Sequence, residues 1–298
     1  MLDEEIFQKG KKWAESGLMT MRMLLPLMKP VSAYVDWKPD EQPTLIYLLS
    51  ATARATESAI LLCAYGQLWE AEVLARSVLE GTMKFCYLLQ SRERFPARFR
   101  EYTIDQFHIG RTKDHLKASE LLASVPNPEA PEWLPIKNTL LSEEELSEIR
   151  ARHSKSQRAR LETRWGFTGL IGELSRSEDS MFRGFGANAY GYSIASHIYH
   201  MDMAGASIPL ERDMRSQERR DTIHFAHEGR LISNLLTYFY WRLSVGYRFV
   251  GADDEPVRDA WSVITAVTAE FKDANDKWLD VEYRSGDDAD EQPETTAR

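Results

Sequence analysis

Residues 45–89 read LIYLLSATARATESAILLCAYGQLWEAEVLARSVLEGTMKFCYLL, and this stretch decides the fold. Apolar residues occupy most faces of an α-helix over residues 45–65, which is the pattern of a helix buried on all sides. Gly66 interrupts this pattern, and a second apolar helix is predicted from about Leu68 to Leu89. The stretch therefore predicts a helical hairpin with a short connection, the basic unit of a helical bundle.

The chain on either side of the hairpin also reads as helix. Residues 1–43 predict an N-terminal helix followed by a turn, and residues 44–284 predict a single helical-bundle domain that includes one long helix over residues 221–249. Residues 285–298 are acidic and contain Pro and Thr, which predicts a disordered tail. No alternating strand pattern occurs, so the chain is assigned to the all-α class as a multi-helix bundle with peripheral helices.

Three connecting segments carry expectations of their own. Residues 125–135 hold four prolines and predict a surface excursion with no regular element. Ser142 and Glu145 form a capping-box signature, which predicts the start of a polar helix that runs to about Arg160. Residues 211–220 are highly charged and predict a loop before the long helix.

Composition restricts the class of protein. The net charge of -9 has the wrong sign for broad binding to a phosphate backbone, so any contact with nucleic acid needs a local basic patch. The two cysteines, Cys63 and Cys86, lie in apolar helical patterns and predict reduced core thiols. The longest apolar runs are too short to cross a bilayer. We therefore expect a cytoplasmic protein with no membrane partner.

One segment resembles a functional site. In the sequence YSIASHIYH, Tyr192, Ser196 and His200 are spaced four residues apart, so on a helix they form one stripe of hydrogen-bonding side chains. The neighbourhood is apolar and rich in Ala, where polar groups are costly to bury without partners. We expect other helices to supply those partners.

The chain resembles a bacterial all-helical family, the domain-of-unknown-function 5677 family, over about residues 45–245. The residues that carry the resemblance are Gly66, Glu70, Ala71, Arg76 and Glu80, followed by Tyr192, Ser196 and His200. This family is similar to the HEPN superfamily, whose members are helical bundles that often act as metal-independent ribonucleases in toxin and phage-defence systems. The resemblance implies an HEPN-like fold, an endoribonuclease that acts on RNA without a cofactor, and a homodimer.

The resemblance also implies candidate catalytic residues. His200 would act as general base or acid toward the 2′-hydroxyl or the leaving oxygen, and Arg76 would stabilise the charge that develops on phosphorus. Glu80 would hold Arg76, while Ser196 and Tyr192 would orient the ring or contact phosphate. The alternative is structural: Arg76 and Glu80 can pair along their own helix, and the three α-helical side chains can form a polar seam.

The usual HEPN signature places an Arg four to six residues before the His, and no Arg precedes His200 at that spacing. The pairs Arg219 with His224 and Arg220 with His227 do match it. Seven histidines and frequent arginines make about two such matches expected by chance. These pairs are alternatives to His200.

A basic segment is the candidate for nucleic-acid binding. Its cations are Arg150, Arg152, Lys155, Arg158 and Arg160. Clustered cations of this kind bind phosphates in a salt-sensitive manner even on an acidic protein, although most such runs are solvated helix faces.

Two further classes of function remain open. Asp105 with His108, and Asp221 with His224, set a carboxylate and an imidazole three residues apart, as in di-metal carboxylate bundles with Glu57 and Glu80 as further ligands. Such sites normally use Glu in this pair, so no metal is the primary expectation. The third class is a non-catalytic helical module that binds a ligand or a protein, such as a partner encoded in the same operon.

Overall fold

A computed structural model describes residues 3–284 of the chain. These residues are almost entirely helical and contain no β-strand, so the predicted all-α, multi-helix fold is confirmed. The tail predicted to be disordered, residues 285–298, lies outside the described residues.

The fold divides into two compact units. The first unit comprises the chain up to Cys86 together with the chain from Asn188 onward, and the second unit comprises Tyr87–Ala187. The single domain predicted over residues 44–284 stays a prediction.

The first unit is built around one long central helix. Its helices are α1 (Glu4–Leu24), α2 (Lys29–Ser32), α3 (Glu41–Ala64), α4 (Leu68–Leu88, whose last two residues belong to the second unit), α11 (Asn188–His200), α12 (Met203–Asp213), α13 (Gln217–Val250), α14 (Glu255–Thr268) and α15 (Phe271–Leu279). α13 is buried along most of its length and packs against α1, α2, α3, α14 and α15. Gly17 lets α1 approach α13 closely, because a Cβ at this position would press on Ile232. Gly229 lets α13 approach α15 in the same way, because a Cβ there would press on Phe271.

The hairpin of α3 and α4 forms as the sequence predicts. Gly66 takes a left-handed conformation with φ of 70°, which ends α3. Glycine adopts this conformation without the steric clash that a Cβ would cause. At Gly81 the two helices approach so closely that a Cβ would overlap the Thr52 side chain. α3 begins earlier than predicted, since Pro43 lies in its first turn, where the missing backbone N–H is not needed.

The second unit contains shorter helices. They are α5 (Phe95–Arg100), α6 (Gln106–Ser124), α7 (Leu134–Lys137), α8 (Glu143–Arg152), α9 (Lys155–Trp165) and α10 (Phe167–Ser175), with a π-helical turn at Glu101–Asp105. Glu101 accepts hydrogen bonds from Arg164 at 2.6 Å and from the indole of Trp165 at 2.9 Å, so α9 is tied to this turn.

Three predictions about connecting segments need correction. The proline-rich stretch holds a 3-10 turn at Pro131–Trp133 that leads into α7, because Pro is favourable at the first positions of a helix. The polar helix does not run to Arg160: it ends at Arg152, and Ser154 with Gln157 forms a second capping box that starts α9. The charged segment of residues 211–220 is mostly helical, since α12 ends at Asp213 and α13 begins at Gln217.

By length and hydropathy, α3 is the one helix among residues 3–284 that could cross a bilayer. The sequence did not predict such a helix, because its continuous apolar runs are short. It packs against α1, α2 and α13. A core helix of a soluble protein passes the same test, so this is weak evidence for a membrane span.

Candidate functional site

The predicted polar stripe lies on α11. Tyr192 and Ser196 are partly buried, whereas His200 is exposed at the C-terminal end of the helix. The stripe therefore runs from partly buried positions to solvent. Its helix ends at a tight turn in which Met201 has a positive φ of 51° and Asp202 caps α12 by accepting from the Gly205 N–H at 2.9 Å.

Arg76 and Glu80 meet the stripe at Tyr192. The Nη2 of Arg76 donates to the phenolic oxygen of Tyr192 at 2.8 Å, and that phenol donates a longer hydrogen bond, 3.4 Å, to Glu80. Glu80 also accepts from Lys84 at 2.7 Å. The direct Arg76–Glu80 pair considered from the sequence is therefore replaced by a relay through Tyr192. Three of the five candidate catalytic residues come together.

The charges at this contact shift the pKa values of both acids. Burial alone would raise the pKa of Glu80, but the hydrogen bond and charge of Lys84 and the charge of Arg76 lower it below its usual value. Burial and the Glu80 charge raise the pKa of the Tyr192 phenol. At neutral pH Glu80 is therefore an anion and Tyr192 keeps its proton, as the relay requires.

Tyr199 joins Arg76 to His200, and reasoning from the sequence did not select it. The guanidinium carbon of Arg76 lies 4.6 Å from the ring centroid of Tyr192 and 5.1 Å from that of Tyr199, distances typical of cation–π contacts. Tyr199 in turn meets His200 edge to face at 5.0 Å. The signal was present in the sequence, because Tyr192 and Tyr199 are two helical turns apart and share one face.

His200 and Ser196 make no hydrogen bond to Arg76 within the described part of the chain. His200 is close to Arg76 only through the ring of Tyr199. His200 is exposed to solvent, so a ligand could reach it.

The five cations of the basic segment lie at the junction of α8 and α9. Arg150 and Arg152 are in the last turn of α8, and Lys155 opens α9. All but Arg158 are exposed, and none of the five forms an ion pair with a carboxylate among residues 3–284. Arg164, the next cation along, differs because it pairs with Glu101 at 2.6 Å.

Two residues of the alternative Arg–His pairs, His227 and Arg220, have other hydrogen-bond partners among residues 3–284. His227 contacts the guanidinium of Arg212, whose Nη1 lies 2.8 Å from the His227 Nδ1. Arg220 instead donates to the backbone carbonyl of Asp213 at 3.2 Å. Burial lowers the pKa of His224 to about 4, so this imidazole is neutral at physiological pH.

His227 belongs to a buried cluster that the sequence did not reveal. Its Nε2 lies 3.0 Å from Glu72 on α4, and Arg230 donates to the same carboxylate oxygen at 3.0 Å. Burial and the Arg230 charge lower the pKa of His227 to about 4. Burial would raise the pKa of Glu72, but the bond from His227 and the charge of Arg230 lower it to about 2. A neutral imidazole therefore donates to an ionised carboxylate.

The di-metal alternative lacks a ligand set. Among residues 3–284, no group of three or more His, Cys, Asp or Glu side chains is arranged to hold a metal ion. Asp105 lies 2.9 Å from His153, Glu57 pairs with Arg22 at 2.8 Å, and Glu80 is engaged by Lys84. Glu57 and Glu80 are thus each paired with a cation.

Comparison with known protein families gives a match over much of the chain. A family model described as a family of unknown function (DUF5677) matches residues 44–217, more than half of the chain. No curated protein and no solved structure matches the chain. The match covers most of α3 and all of α4 to α12, so it includes Arg76, Glu80 and the whole polar stripe.

Proposed function

This chain belongs to the DUF5677 family, and we propose that it is a metal-independent, HEPN-like endoribonuclease that acts as an effector in bacterial toxin or phage-defence systems. The observation that carries the proposal is the contact series from Glu80 through Tyr192, Arg76 and Tyr199 to the exposed His200. It sets a guanidinium, a solvent-facing imidazole and an exposed aromatic ring beside one another.

The chemistry needs an acid or base and a stabilised negative charge. The His200 imidazole would take the proton of a ribose 2′-hydroxyl, whose oxygen then attacks the adjacent phosphorus. The bond from phosphorus to the 5′ oxygen breaks, and that oxygen takes a proton from solvent water. Arg76 would stabilise the extra charge on the phosphoryl oxygens during this step. The products are a 2′,3′-cyclic phosphate and a 5′-hydroxyl.

The remaining residues would position these groups. Tyr192 accepts a hydrogen bond from the Arg76 guanidinium and donates one to Glu80, which is the second layer of support that a catalytic group needs. Tyr199, with 54% of its surface exposed, offers a face on which an RNA base can stack. Ser196 would contact phosphate or orient the ring of His200.

The proposal includes an RNA path and partners. The RNA backbone would bind the cations that have no ion pair among the described residues, Arg150, Arg152, Lys155, Arg158 and Arg160. A homodimer would compose the complete site, and a protein encoded in the same operon would regulate it. The cytoplasm is the proposed location, in keeping with the buried, reduced thiols of Cys63 and Cys86.

The test is incubation of the purified protein with mixed RNA and DNA in the presence of a chelator. We expect cleavage of RNA but not DNA, and a loss of about 10²-fold or more in rate for His200→Ala or Arg76→Ala, the range for removal of a general acid–base or charge-stabilising group. His197→Gln is the matched control, since it changes an imidazole on the same helix outside the contact series. Its rate should stay close to that of the wild type.

A second candidate function is ligand or protein binding without cleavage. His200 and Arg76 make no hydrogen bond to each other within the described residues, which favours this function because each group can contact a ligand independently of the other. Wild-type protein that binds RNA or a partner but leaves RNA intact would support this function and contradict the nuclease.

A further inference from the structure

The cluster around His227 carries a positive charge that no ion pair among residues 3–284 neutralises. Three guanidinium groups, those of Arg212, Arg215 and Arg230, face two carboxylates, Glu72 and Glu282. Arg230 pairs with Glu72 at 3.0 Å and Arg215 with Glu282 at 2.6 Å. Arg212 has no carboxylate of its own among the described residues.

Arg212 is held in place by neutral groups. Its Nη1 donates to Nδ1 of His227 at 2.8 Å, and its guanidinium carbon lies 4.7 Å from the ring centroid of Trp69. Burial and the charges of Arg215 and Arg230 lower the pKa of Arg212, as expected for a cation placed among like charges. Arg212 remains charged at neutral pH, and an anion beside it would relieve the repulsion.

The cluster has a firm base and an open side. Glu72 and His227 are buried, with 5% and 9% of their surface exposed, and fix the orientation of Arg230 and Arg212. The side chain of Arg230 is 44% exposed. The guanidinium of Arg212 has five N–H donors, and the hydrogen bond to His227 uses one of them. None of the Arg212 nitrogens is both buried and without a hydrogen bond. The other donors can therefore reach a ligand from solvent.

We propose that Arg212 and Arg230 form a binding site for a phosphate group, seated on the Glu72–His227 pair. A tetrahedral phosphate can accept hydrogen bonds from two guanidinium forks at once, whereas a planar carboxylate matches one fork. The phosphate neutralises Arg212 without displacing Glu72 from Arg230.

The site is separate from the proposed cleavage centre but adjacent to it. Glu72 and Arg76 are four residues apart on α4, so they lie on the same face with an axial separation of about 6 Å. The ligand is either a free phosphate compound or a backbone phosphate of a nucleic acid. Phosphate binding requires no cleavage, so an inactive His200 variant should retain it.

The test is thermal unfolding in inorganic phosphate, with acetate and chloride at the same ionic strength as references. We expect phosphate to raise the Tm of the wild type by at least about 2 °C beyond either reference. Arg212→Gln and Arg230→Gln should each lose this increment. Arg54→Gln, which removes one exposed cation of α3, should keep it. Each increment is measured from the variant's own Tm, so a destabilised variant remains informative. If Arg212→Gln does not fold, Arg230→Gln still tests the site, because Arg230 is exposed.

A DNA oligonucleotide, which lacks the 2′-hydroxyl and is not cleaved, separates the two sources of phosphate. Displacement of phosphate by the oligonucleotide supports the site as a backbone contact, and no displacement supports a free phosphate compound. An equal response to phosphate and acetate in the wild type, or a full phosphate increment in both Gln variants, would overturn the proposal.

Discussion

Glu228 is a buried carboxyl group without a partner in the described part of the chain. It is 3% exposed, lies on α13 against Gly10 of α1, and its Oε1 makes no hydrogen bond. Burial raises its pKa to about 8, so it is protonated in the folded protein at neutral pH. The reason is that an isolated carboxylate at this helix contact would lose its hydration without compensation.

This shift predicts how stability depends on pH. A carboxyl whose folded pKa lies above its unfolded value stabilises the fold most below about pH 4.5, and this contribution decreases as pH rises toward 8, by about 1.4 kcal/mol per pH unit at most. Glu228→Gln, which stays neutral, should raise the free energy of unfolding at pH 7 to 8 and flatten its slope above pH 4.5. Urea unfolding at several pH values measures both effects.

Glu70→Gln is the matched control for this prediction, because Glu70 is an exposed carboxylate of α4. Its pH slope should equal that of the wild type. A Glu228→Gln protein with an unchanged slope would mean that Glu228 is ionised in the folded state.

At the scale of elements, the hairpin of α11 and α12 carries both sites. α12 packs chiefly on α11, and its Arg212 reaches His227 on α13. The close approach depends on Gly205, because a Cβ there would overlap the backbone carbonyl of His197. A backbone clash of this kind cannot be relieved by a rotamer change.

We therefore expect Gly205→Ala to displace α12, to lower the free energy of unfolding by about 1–3 kcal/mol and to abolish the phosphate increment. Gly191→Ala provides the comparison on α11, since a Cβ at Gly191 meets nothing within 4 Å. That change should leave stability equal or raise it by up to about 1 kcal/mol through helix propensity. Thermal unfolding measures the stability of both variants. Equal losses of stability would argue against the close contact at Gly205.

At the scale of the whole molecule, an acidic chain concentrates free cations in one segment. The net charge is -9, yet the basic segment from Arg150 to Arg160 has no ion pairs among residues 3–284. Repulsion from the remaining acidic surface should make any RNA contact local and strongly salt-dependent.

Replacing Arg150, Arg152 and Lys155 together by Gln should weaken RNA binding and reduce the slope of log K against log salt by up to about 0.7 per lost phosphate contact. A variant with Lys11, Lys12 and Arg54 changed to Gln loses the same charge elsewhere. It should change binding much less. Fluorescence anisotropy with a labelled RNA over a range of salt concentrations measures the slopes, and equal slopes in the two variants would exclude the segment as the RNA contact.

Several features of this protein could be predicted from the sequence because they depend on residues close in the chain. The hairpin of α3 and α4 follows from apolar periodicity and from Gly66, and the start of α8 follows from the Ser142–Glu145 capping box. The second capping box, Ser154 with Gln157, has the same signature, but the polar pattern continues through it and does not indicate a helix boundary. Helix propensity and capping operate within one or two turns.

The sequence by itself determined the all-α class, the hairpin and the stripe of Tyr192, Ser196 and His200. Only the tertiary structure decided that Tyr192 lies between Arg76 and Glu80, and that His227 meets Glu72 and Arg212. Tyr192 is 116 residues from Arg76, and Glu72 is 155 residues from His227. Contacts at such separations depend on how whole helices pack, and helical periodicity specifies which face of a helix is buried but not which partner covers it.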